Sequence, residues 1–341
     1  MSAATTQAPA AATMAPHTPV AVSILIVNHN GGPLLARCVA SLPAAANGLA
    51  FEAIVVDNAS TDDSLQQLAL LPAAPGLTVI RRADNAGFAA ATNQAAAAAA
   101  GDLLLLLNPD TECRPGSIRR LALYLRGQDP AGPSTVAAVG PRLFNTDGSP
   151  QRSAWRGFPG LRSALVDAFY LWKWPALPLV RRLETRLPDG ASGAAAAPLD
   201  VDHLLGACIL IPRSVWQAVG PLDAGYFLFL EETDWCHRAR AAGGRVVLLP
   251  GAEVLHHGQH SVYQVPELSS PSYYRGYLRF ARRAGASPAR LLLLRLILLL
   301  GVLIRLLLWS ARLAGGRHAL ARRMLRGYGA ALRVLLSPSA S

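Results

Sequence analysis

The chain has no acidic residue after Glu267, although thirteen arginines follow that position. Lysine is nearly absent as well, with Lys173 as its single example. Because the whole chain of 341 residues has a formal net charge of +11, residues 1–267 alone carry −2. The basic character therefore belongs to the C-terminal tail. This distribution argues against a general nucleic-acid-binding surface and favours contact with an anionic membrane surface.

Cysteines are few and widely separated along the sequence. The four of them, Cys38, Cys113, Cys208 and Cys236, lack the close pairs that a zinc site needs. We therefore expect buried free thiols in a reducing, cytoplasmic compartment. Residues 1–18 lack the basic start and the apolar run of a signal peptide, and their Ala, Thr and Pro content predicts a disordered leader.

Strand-like runs alternate with helical segments in the first part of the chain. Strands are predicted at residues 20–27, 51–56, 77–81 and 103–107, and helices at 33–42, 86–100 and 119–126. This alternation predicts an α/β fold with a Rossmann-like, mainly parallel sheet flanked by helices. Right-handed crossovers place the strand-to-helix turns on one rim of such a sheet, so Asp57, Asn58, Asn85 and Asp110 should gather there.

The pattern is less regular further along the chain. A turn-rich region is predicted up to about Pro150, and a flexible insert at about 187–198. Order is expected to resume with a strand at 200–212, a helix that ends near 242 and a strand at 245–249.

Five leucines at 103–107 run directly into Asn108, Pro109 and Asp110. Such a run suits a strand buried on both faces of a parallel sheet. Pro109 has no N–H to donate, so the strand ends there and Asp110 falls at its carboxyl end, where open α/β sheets bind ligands. A carboxylate at that point suits a divalent cation that carries a diphosphate. The alternative is a strand-ending turn with Asp110 as a helix cap.

Two further positions match what binding of a sugar nucleotide requires. Asp57 follows a predicted strand and can accept hydrogen bonds from a pyrimidine or a ribose. Asn85 begins a predicted helix. The alternatives are an Asx turn at Asp57 and a simple helix cap at Asn85.

Three acids, Glu231, Glu232 and Asp234, follow directly on the aromatic and apolar segment 226–230. Partial desolvation there raises a carboxyl pKa towards values that suit a general base. The alternative is a solvated acidic helix start.

His256 and His257 end a predicted strand and must therefore face opposite ways. One of them can supply a nitrogen ligand to a metal, although strand-end histidines are also commonly structural.

In combination these segments resemble the family 2 glycosyltransferases, in the rhamnosyltransferase-like branch with a GT-A fold. The resembling segments, in the family's order, are 22–31, 55–62, 85–88 with Asn93, 106–110, 206–207, 229–234 and 254–256. Together they cover roughly residues 20–262. No single motif is specific, but their order and spacing are.

The resemblance implies a role for each matching position. Contacts with the nucleotide sugar would come from Asn28, Asp57, Asn58, Asn85, Gly87, Asn93 and Asn108. Asp110 and His256 would hold Mg²⁺ or Mn²⁺, with His257 the less favoured of the two histidines. Asp110 would do most of the coordination, because Asn108 replaces the first acid of the family's metal-binding signature.

The acceptor side follows in the same way. Glu232 matches the family's expected general base, where Asp is more usual, so Glu231 and Asp234 stay open as alternatives. Gly206, Ala207 and His203 would lie beside the acceptor, and His203 stands where an aromatic residue is more typical.

These positions predict a metal-dependent, inverting hexosyltransferase that moves a sugar, with rhamnose the first trial, from a nucleotide-diphosphate donor to a saccharide or lipid-linked acceptor. The predicted setting is cell-surface polysaccharide synthesis at the cytoplasmic face of the cell membrane. One alternative is a nucleotidyltransferase, but the turn at 28–32 lacks the basic residue of its phosphate loop. The other alternative is a non-catalytic, membrane-associated sugar-binding module. Such a module would not need a general base.

The domain prediction is a GT-A domain at 19–265 followed by a helical, membrane-associating tail at 270–341. Residues 291–309 are long enough to cross a bilayer, but Arg295 and Arg305 would each cost about 2.5–3.5 kcal/mol at membrane depth. On a helical wheel Arg290, Arg305 and Arg312 fall close together. This favours a helix in the membrane interface, with these arginines towards lipid phosphates, over a spanning helix or a core helix.

Overall fold

The computed structural model describes residues 21–72, 76–127, 136–151, 154–155, 157–174, 176–181, 197–258, 265–315 and 318–337. The leader predicted at 1–18 lies outside these residues, as does the insert predicted at 187–198 apart from its last two positions.

The strands are β1 (Val22–Asn28), β2 (Phe51–Asp57), β3 (Leu77–Arg81), β4 (Leu103–Leu107), β5 (Thr111–Cys113), β6 (Val136–Phe144), β7 (Pro150–Gln151), β8 (Ala154–Trp155), β9 (Leu199–Val201), β10 (His203–Leu204), β11 (Cys208–Pro212) and β12 (Arg245–His256). The helices are α1 (Pro33–Ala46), α2 (Ser64–Ala69), α3 (Phe88–Ala98), α4 (Ser117–Leu125), α5 (Leu161–Ala168), α6 (Pro178–Arg181), α7 (Arg213–Val219), α8 (Glu231–Ala241), α9 (Pro266–Arg283), α10 (Pro288–Ala314) and α11 (His318–Leu336), with a 3₁₀ turn at Leu171–Lys173.

The main sheet has the strand order β3-β2-β1-β4-β11-β6-β12-β5, with β7 beside β6 and β9 beside β12. The first four strands are parallel, whereas β11 runs antiparallel to both of its neighbours and β12 returns parallel to β6. The predicted α/β class is confirmed, and the rim formed by β1, β2 and β4 is the predicted one.

The leucine strand β4 explains why the sheet is covered on both faces. Leu103, Leu105 and Leu107 enter one hydrophobic layer with α1 and α4, while Leu104 and Leu106 enter the other with α3. Each buried leucine contributes about 1.5–3 kcal/mol through removal of its side chain from water. A strand with an apolar residue at every position is therefore stable only in the centre of a covered sheet.

The prediction of a turn-rich region up to Pro150 is wrong, because β6 occupies its second half in the interior of the sheet. Gly140 and Pro141 lie inside this strand. Gly140 permits close packing, since a Cβ there would lie 2.9 Å from Leu204 and 3.2 Å from the Cys208 carbonyl. Pro141 faces the irregular part of β12, where the register shifts between Leu249 and Glu253. A proline without an N–H is tolerated there.

Two strand bounds also differ from prediction. The strand expected at 200–212 is divided into β9, β10 and β11, because the chain turns away from the sheet at Asp202 and again at 205–207. The strand expected to end at Leu249 continues to His256, since the irregularity is accommodated and the pairing with β6 resumes.

The three C-terminal helices pack on the α/β domain through a third hydrophobic cluster. Tyr226 and Leu230 join residues of α9, α10 and α11 in this cluster. Helix α10 approaches α5 closely, because a Cβ on Gly301 would lie 2.9 Å from Ala168. Within the described residues α10, with 27 residues, is the one helix that is long and apolar enough to cross a membrane, a property that it shares with core helices of soluble proteins.

The structure contradicts the predicted orientation of Arg305. The Arg305 side chain is 7% exposed, and its Nη2 lies 3.0 Å from Asp167 Oδ2 and donates to the Asp167 carbonyl at 2.9 Å. Arg290 and Arg312 are exposed. The helical wheel gave the wrong orientation for Arg305 because its partner, Asp167, lies 138 positions earlier in the chain.

Candidate active site

A cavity of about 230 Å³ opens at the carboxyl ends of β1, β2 and β4. Five of the predicted site residues line this donor-side cavity, namely Asn58, Asn85, Gly87, Asn108 and Asp110. The rim position inferred from the strand pattern therefore brings them together. His29 and Asn30 line the same cavity from the turn after β1.

Amide side chains fix the backbone on one side of this cavity. Asn58 Nδ2 donates to Asn85 Oδ1 at 2.7 Å, and the Ala86 N–H donates back to Asn58 Oδ1 at 3.1 Å. Gly87 has a φ of +84°, and a Cβ at this position would overlap the Phe227 carbonyl. Glycine is therefore required at the start of α3, on both conformational and steric grounds.

Asn28, Asp57 and Asn93 do not line the cavity. Asn28 Nδ2 donates to Asp57 Oδ1 at 2.9 Å, and both side chains are buried. Asn93 exchanges two hydrogen bonds with the backbone of Leu222, at 2.8 and 3.0 Å. In this structure the three residues hold neighbouring turns in place, and their direct contact with a nucleotide stays a prediction.

Asp110 lines the donor-side cavity, and His256 lies against Asp110. His256 Nε2 lies 3.4 Å from Asp110 Oδ1. Burial acts to raise the pKa of Asp110, but its hydrogen bond and charge interaction with His256 outweigh burial and lower that pKa. His257 points the other way, with its Nε2 2.8 Å from Glu112. The alternation expected for adjacent strand-end histidines is therefore present.

Gln151 is a site residue that the sequence did not reveal. Its Oε1 lies 2.7 Å from His256 Nδ1, and its Nε2 donates to Asn145 Oδ1 at 3.2 Å, which orients the amide. A hydrogen bond between His256 Nδ1 and this oxygen fixes the orientation of the imidazole ring, with Nε2 towards Asp110. Such a support orients metal-binding histidines. No sequence signal marked Gln151, since its position depends on the pairing of β7 with β6.

The carboxylate oxygen of Asp110 and the imidazole nitrogen of His256 fit a divalent cation. No group of three or more His, Cys, Asp or Glu residues suited to a metal occurs in the described parts of the chain. A cation at Asp110 and His256 would therefore take its other ligands from the diphosphate and from water.

A second cavity, of about 300 Å³, contains Glu232 and His203. Burial raises the pKa of Glu232 to about 7, although hydrogen bonds from nearby backbone N–H groups, including that of Gly206, act to lower it. Gly206 lies directly against this side chain, since a Cβ there would be 3.3 Å from Glu232 Cγ. At neutral pH Glu232 is thus divided between its acid and base forms, as a general base requires.

The two neighbouring acids have different surroundings from Glu232. Glu231 is buried, its Oε2 has no hydrogen-bond partner within the described structure, and burial together with the charge of Glu232 raises its pKa well above the usual value. Asp234 is paired with Arg238 and Arg283, each at 2.9 Å. Neither acid lines the second cavity. The geometry therefore favours Glu232 among the three candidates.

His203 and Ala207, the two other residues predicted to lie beside the acceptor with Gly206, have different surroundings. Burial lowers the pKa of His203 to about 4, so the ring is neutral, and its Nδ1 lies 3.3 Å from Thr233 Oγ1. Ala207 is buried and accepts a hydrogen bond from the Asn108 N–H at 2.9 Å. This contact connects the acceptor-side loop to the end of β4.

Residues 227–230, the dividing segment, separate the two cavities. Phe227 and Leu228 line the donor-side cavity, whereas Phe229 and Leu230 line the second one. The Phe227 carbonyl accepts the Phe88 N–H at 2.7 Å. Phe229 and Leu230 have φ values of +71° and +72°. A positive φ strains the backbone of residues with large side chains, and such strain is found mostly at functional sites.

The fold and the paired cavities define a GT-A glycosyltransferase that uses a nucleotide sugar. The chain matches the family described as glycosyl transferase family 2 over residues 23–171. It is 30% identical over 272 residues to an N-acetylglucosaminyl-diphospho-decaprenol L-rhamnosyltransferase of Mycobacterium tuberculosis, covering 76% of this chain and 84% of the relative. The chain belongs to glycosyltransferase family 2, and the predicted enzyme class is confirmed.

A further relative is similar in sequence, and two solved structures are similar in fold. A low-salt glycan biosynthesis hexosyltransferase of Haloferax volcanii is 26% identical over 270 residues, which cover 78% of this chain and 75% of that protein. The structure of a mannosyltransferase from Pyrobaculum calidifontis in complex with GDP-Man and Mn²⁺ matches with a TM-score of 0.51 at 15% identity, covering 94% of this chain and 87% of that one. GalNAc-T7 with UDP, GalNAc and Mn²⁺ matches with a TM-score of 0.53 at 16% identity, and this chain, covered to 95%, spans 57% of it.

Proposed function

We propose that this protein is a metal-dependent, inverting glycosyltransferase that transfers a sugar, rhamnose in the first instance, from a nucleotide diphosphate to a lipid-linked saccharide. The relative that acts as a decaprenol-linked rhamnosyltransferase supports both the donor and the acceptor class. The proposed setting is synthesis of a cell-surface polysaccharide at the cytoplasmic face of the membrane.

The observation that carries this proposal is the division of chemistry between the two cavities. Asp110 and His256 lie on the donor side, and Glu232 lies on the other side of the dividing segment. A direct displacement needs the leaving diphosphate and the general base on opposite faces of the transferred sugar. Two cavities with these groups, separated by only four residues, support the proposed reaction.

In the proposed reaction Glu232 accepts the proton of an acceptor hydroxyl. The oxygen forms a bond to the anomeric carbon as the bond from that carbon to the diphosphate oxygen breaks, which inverts the configuration. Asp110 and His256 would hold Mg²⁺ or Mn²⁺, which when bound neutralises the charge of the leaving diphosphate. Neutral His203 would shape the acceptor side without adding charge.

The C-terminal helices would bring this site to the membrane. Leucines on one side of α10 are exposed, among them Leu296, Leu300 and Leu307. The tail also carries the excess of arginines noted in the sequence. An apolar exposed helix face next to cationic side chains suits peripheral binding to anionic lipid.

A panel of nucleotide sugars tests the proposal, with and without added Mn²⁺ and with membrane lipid extract as acceptor. We expect transfer of sugar to lipid and release of a nucleoside diphosphate, both abolished by EDTA. Release of inorganic diphosphate from a nucleoside triphosphate and a sugar phosphate would identify a nucleotidyltransferase instead. Donor binding without any turnover would identify a binding module.

A further inference from the structure

A third cavity, of about 550 Å³, lies where α10 and α11 meet the segment after α5. We call it the basic aromatic cavity. Its charged lining consists of Lys173, Arg305, Arg312 and Asp167. Three cations and one carboxylate give it a formal charge of +2.

Two of these cations are available to a ligand. Arg305 is paired with Asp167. Lys173 Nζ lies 5.2 Å from the centre of the Tyr170 ring, and Arg312 Cζ lies 4.6 Å from the centre of the Trp309 ring. Within the described part of the chain, neither Lys173 nor Arg312 forms an ion pair with a carboxylate. The aromatic rings orient both cations without neutralising them.

The basic aromatic cavity adjoins the cavity that contains Glu232. Trp172 and Asp167 line both cavities, so no layer of other residues separates them at that point. A ligand that occupies both could place a sugar hydroxyl at Glu232 and an anionic group between Lys173 and Arg312.

An exposed apolar surface adjoins the basic aromatic cavity. Leu308 lines the cavity and is 47% exposed. Four other leucines of α10, Leu296, Leu300, Leu303 and Leu307, are exposed as well. The spacing of these four, three or four residues, places them on one helical face, next to Leu308. Trp172 and Trp174, both exposed, also line the cavity.

We propose that the basic aromatic cavity binds the diphosphate of a polyprenyl-linked acceptor, with Lys173 and Arg312 as its cationic ligands and the leucine face of α10 along its prenyl chain. The proposal rests on the proposed function, because it names the acceptor class of the same site. A diphosphate diester carries two negative charges, which match the net charge of the cavity lining. The order of the ligand, from saccharide through diphosphate to prenyl chain, matches the order of Glu232, the cations and the leucines.

Binding of farnesyl diphosphate tests this proposal without any need for turnover. We would follow tryptophan fluorescence at saturating dTDP, which we expect to fill the donor-side cavity. Lys173→Ala and Arg312→Ala should each raise the dissociation constant about tenfold through loss of one charge-assisted contact. Arg290→Ala is the matched control, since it removes an exposed arginine from the same helix away from the cavity.

Three results would overturn the proposal. The proposal requires the diphosphate, so an affinity for farnesol equal to that for farnesyl diphosphate would show that the prenyl chain alone is bound. Inorganic diphosphate that binds as tightly as farnesyl diphosphate would indicate a free-anion site. Equal weakening by Arg290→Ala, also seen with phosphatidylglycerol vesicles, would indicate general attraction to an anionic membrane.

Kinetics separate this proposal from the proposed function. We would measure kcat/KM for a polyprenyl-diphosphate saccharide and for the same saccharide as a simple alkyl glycoside. The ratio of the first value to the second should fall about tenfold in Lys173→Ala and in Arg312→Ala. Arg312→Lys, which keeps the charge, should restore most of the ratio. If the wild-type protein binds farnesyl diphosphate as described but transfers no sugar from any donor, the proposed function fails and the binding site stands.

Discussion

Replacement of Glu232 by Gln is the most direct test of the active site. Gln has nearly the same shape and still accepts the backbone hydrogen bonds that Glu232 receives from neighbours such as Gly206. It cannot accept a proton from the acceptor. A positioned general base contributes about 10²–10⁴-fold, so kcat should fall by about that factor. The donor KM should stay nearly unchanged, because the substituted residue lies across the dividing segment from the donor-side cavity.

The pH dependence gives a second measurement of the same group. Burial raises the pKa of Glu232 to about 7, and its deprotonated form is the base. The kcat of the wild-type protein should therefore rise with pH up to about 7 and level off above it. Below that value the group is protonated and the rate should fall about tenfold per pH unit. Steady-state assays with saturating donor and acceptor between pH 5 and 9, roughly the range over which such a group titrates, would show this profile.

Neighbouring acids provide the comparison. Glu231→Gln replaces a carboxyl outside the second cavity whose pKa is raised well above its usual value by burial and by the charge of Glu232, so we expect a much smaller loss of kcat than in Glu232→Gln. Glu232→Asp keeps a carboxylate and should retain partial activity. Full activity in Glu232→Gln, or loss confined to Glu231→Gln, would refute the assignment of the base.

Three further substitutions test other parts of the structure. Gly87→Ala introduces a Cβ at positive φ against the dividing segment, and should lower the free energy of unfolding by about 2–3 kcal/mol in urea titrations while raising the donor KM. Gln151→Ala removes the support of His256, and should raise the Mn²⁺ concentration needed for half-maximal activity by about 10–100-fold. Arg305→Met leaves Asp167 unpaired and should cost about 2–3 kcal/mol of unfolding free energy, less than the 3–5 kcal/mol of a fully buried pair because Asp167 is 35% exposed.

Each of these substitutions has a control. Gly148→Ala changes a glycine at positive φ with nothing within 4 Å, and isolates the conformational part of the Gly87 effect. His257→Ala should leave the Mn²⁺ requirement unchanged, and an equal shift there would contradict the role of Gln151. Adding Asp167→Asn to Arg305→Met should recover part of the lost stability. No recovery would show that the cost comes from packing rather than from the unpaired charge.

The rim of the site was predictable because its signals are local. An all-apolar strand followed by Pro109 can end in only one way, so the position of Asp110 followed from neighbouring residues alone. The amides at Asn58 and Asn85 were predictable for the same reason, since each follows its own strand. These parts of the structure require only the rules of strand length, crossover hand and turn chemistry.

Other features depend on distant parts of the chain and were not predictable in this way. The Gly140-Pro141 pair lies inside β6 because β12 is irregular opposite it, and that irregularity is more than 100 residues away in sequence. Gln151 meets His256 over a separation of 105 residues. Arg305 turns inward to Asp167 over a separation of 138 residues. A helical wheel or a turn propensity contains no information about such partners.

The dividing segment has a thermodynamic consequence for the order of substrate binding. Phe227 and Leu228 line one cavity and Phe229 and Leu230 line the other, so a shift of this segment on donor binding would also change the second cavity. Linkage requires reciprocity: if donor binding strengthens acceptor affinity by some factor, acceptor binding strengthens donor affinity by the same factor. The strained dividing segment would then determine how strongly the binding of one substrate changes the affinity for the other.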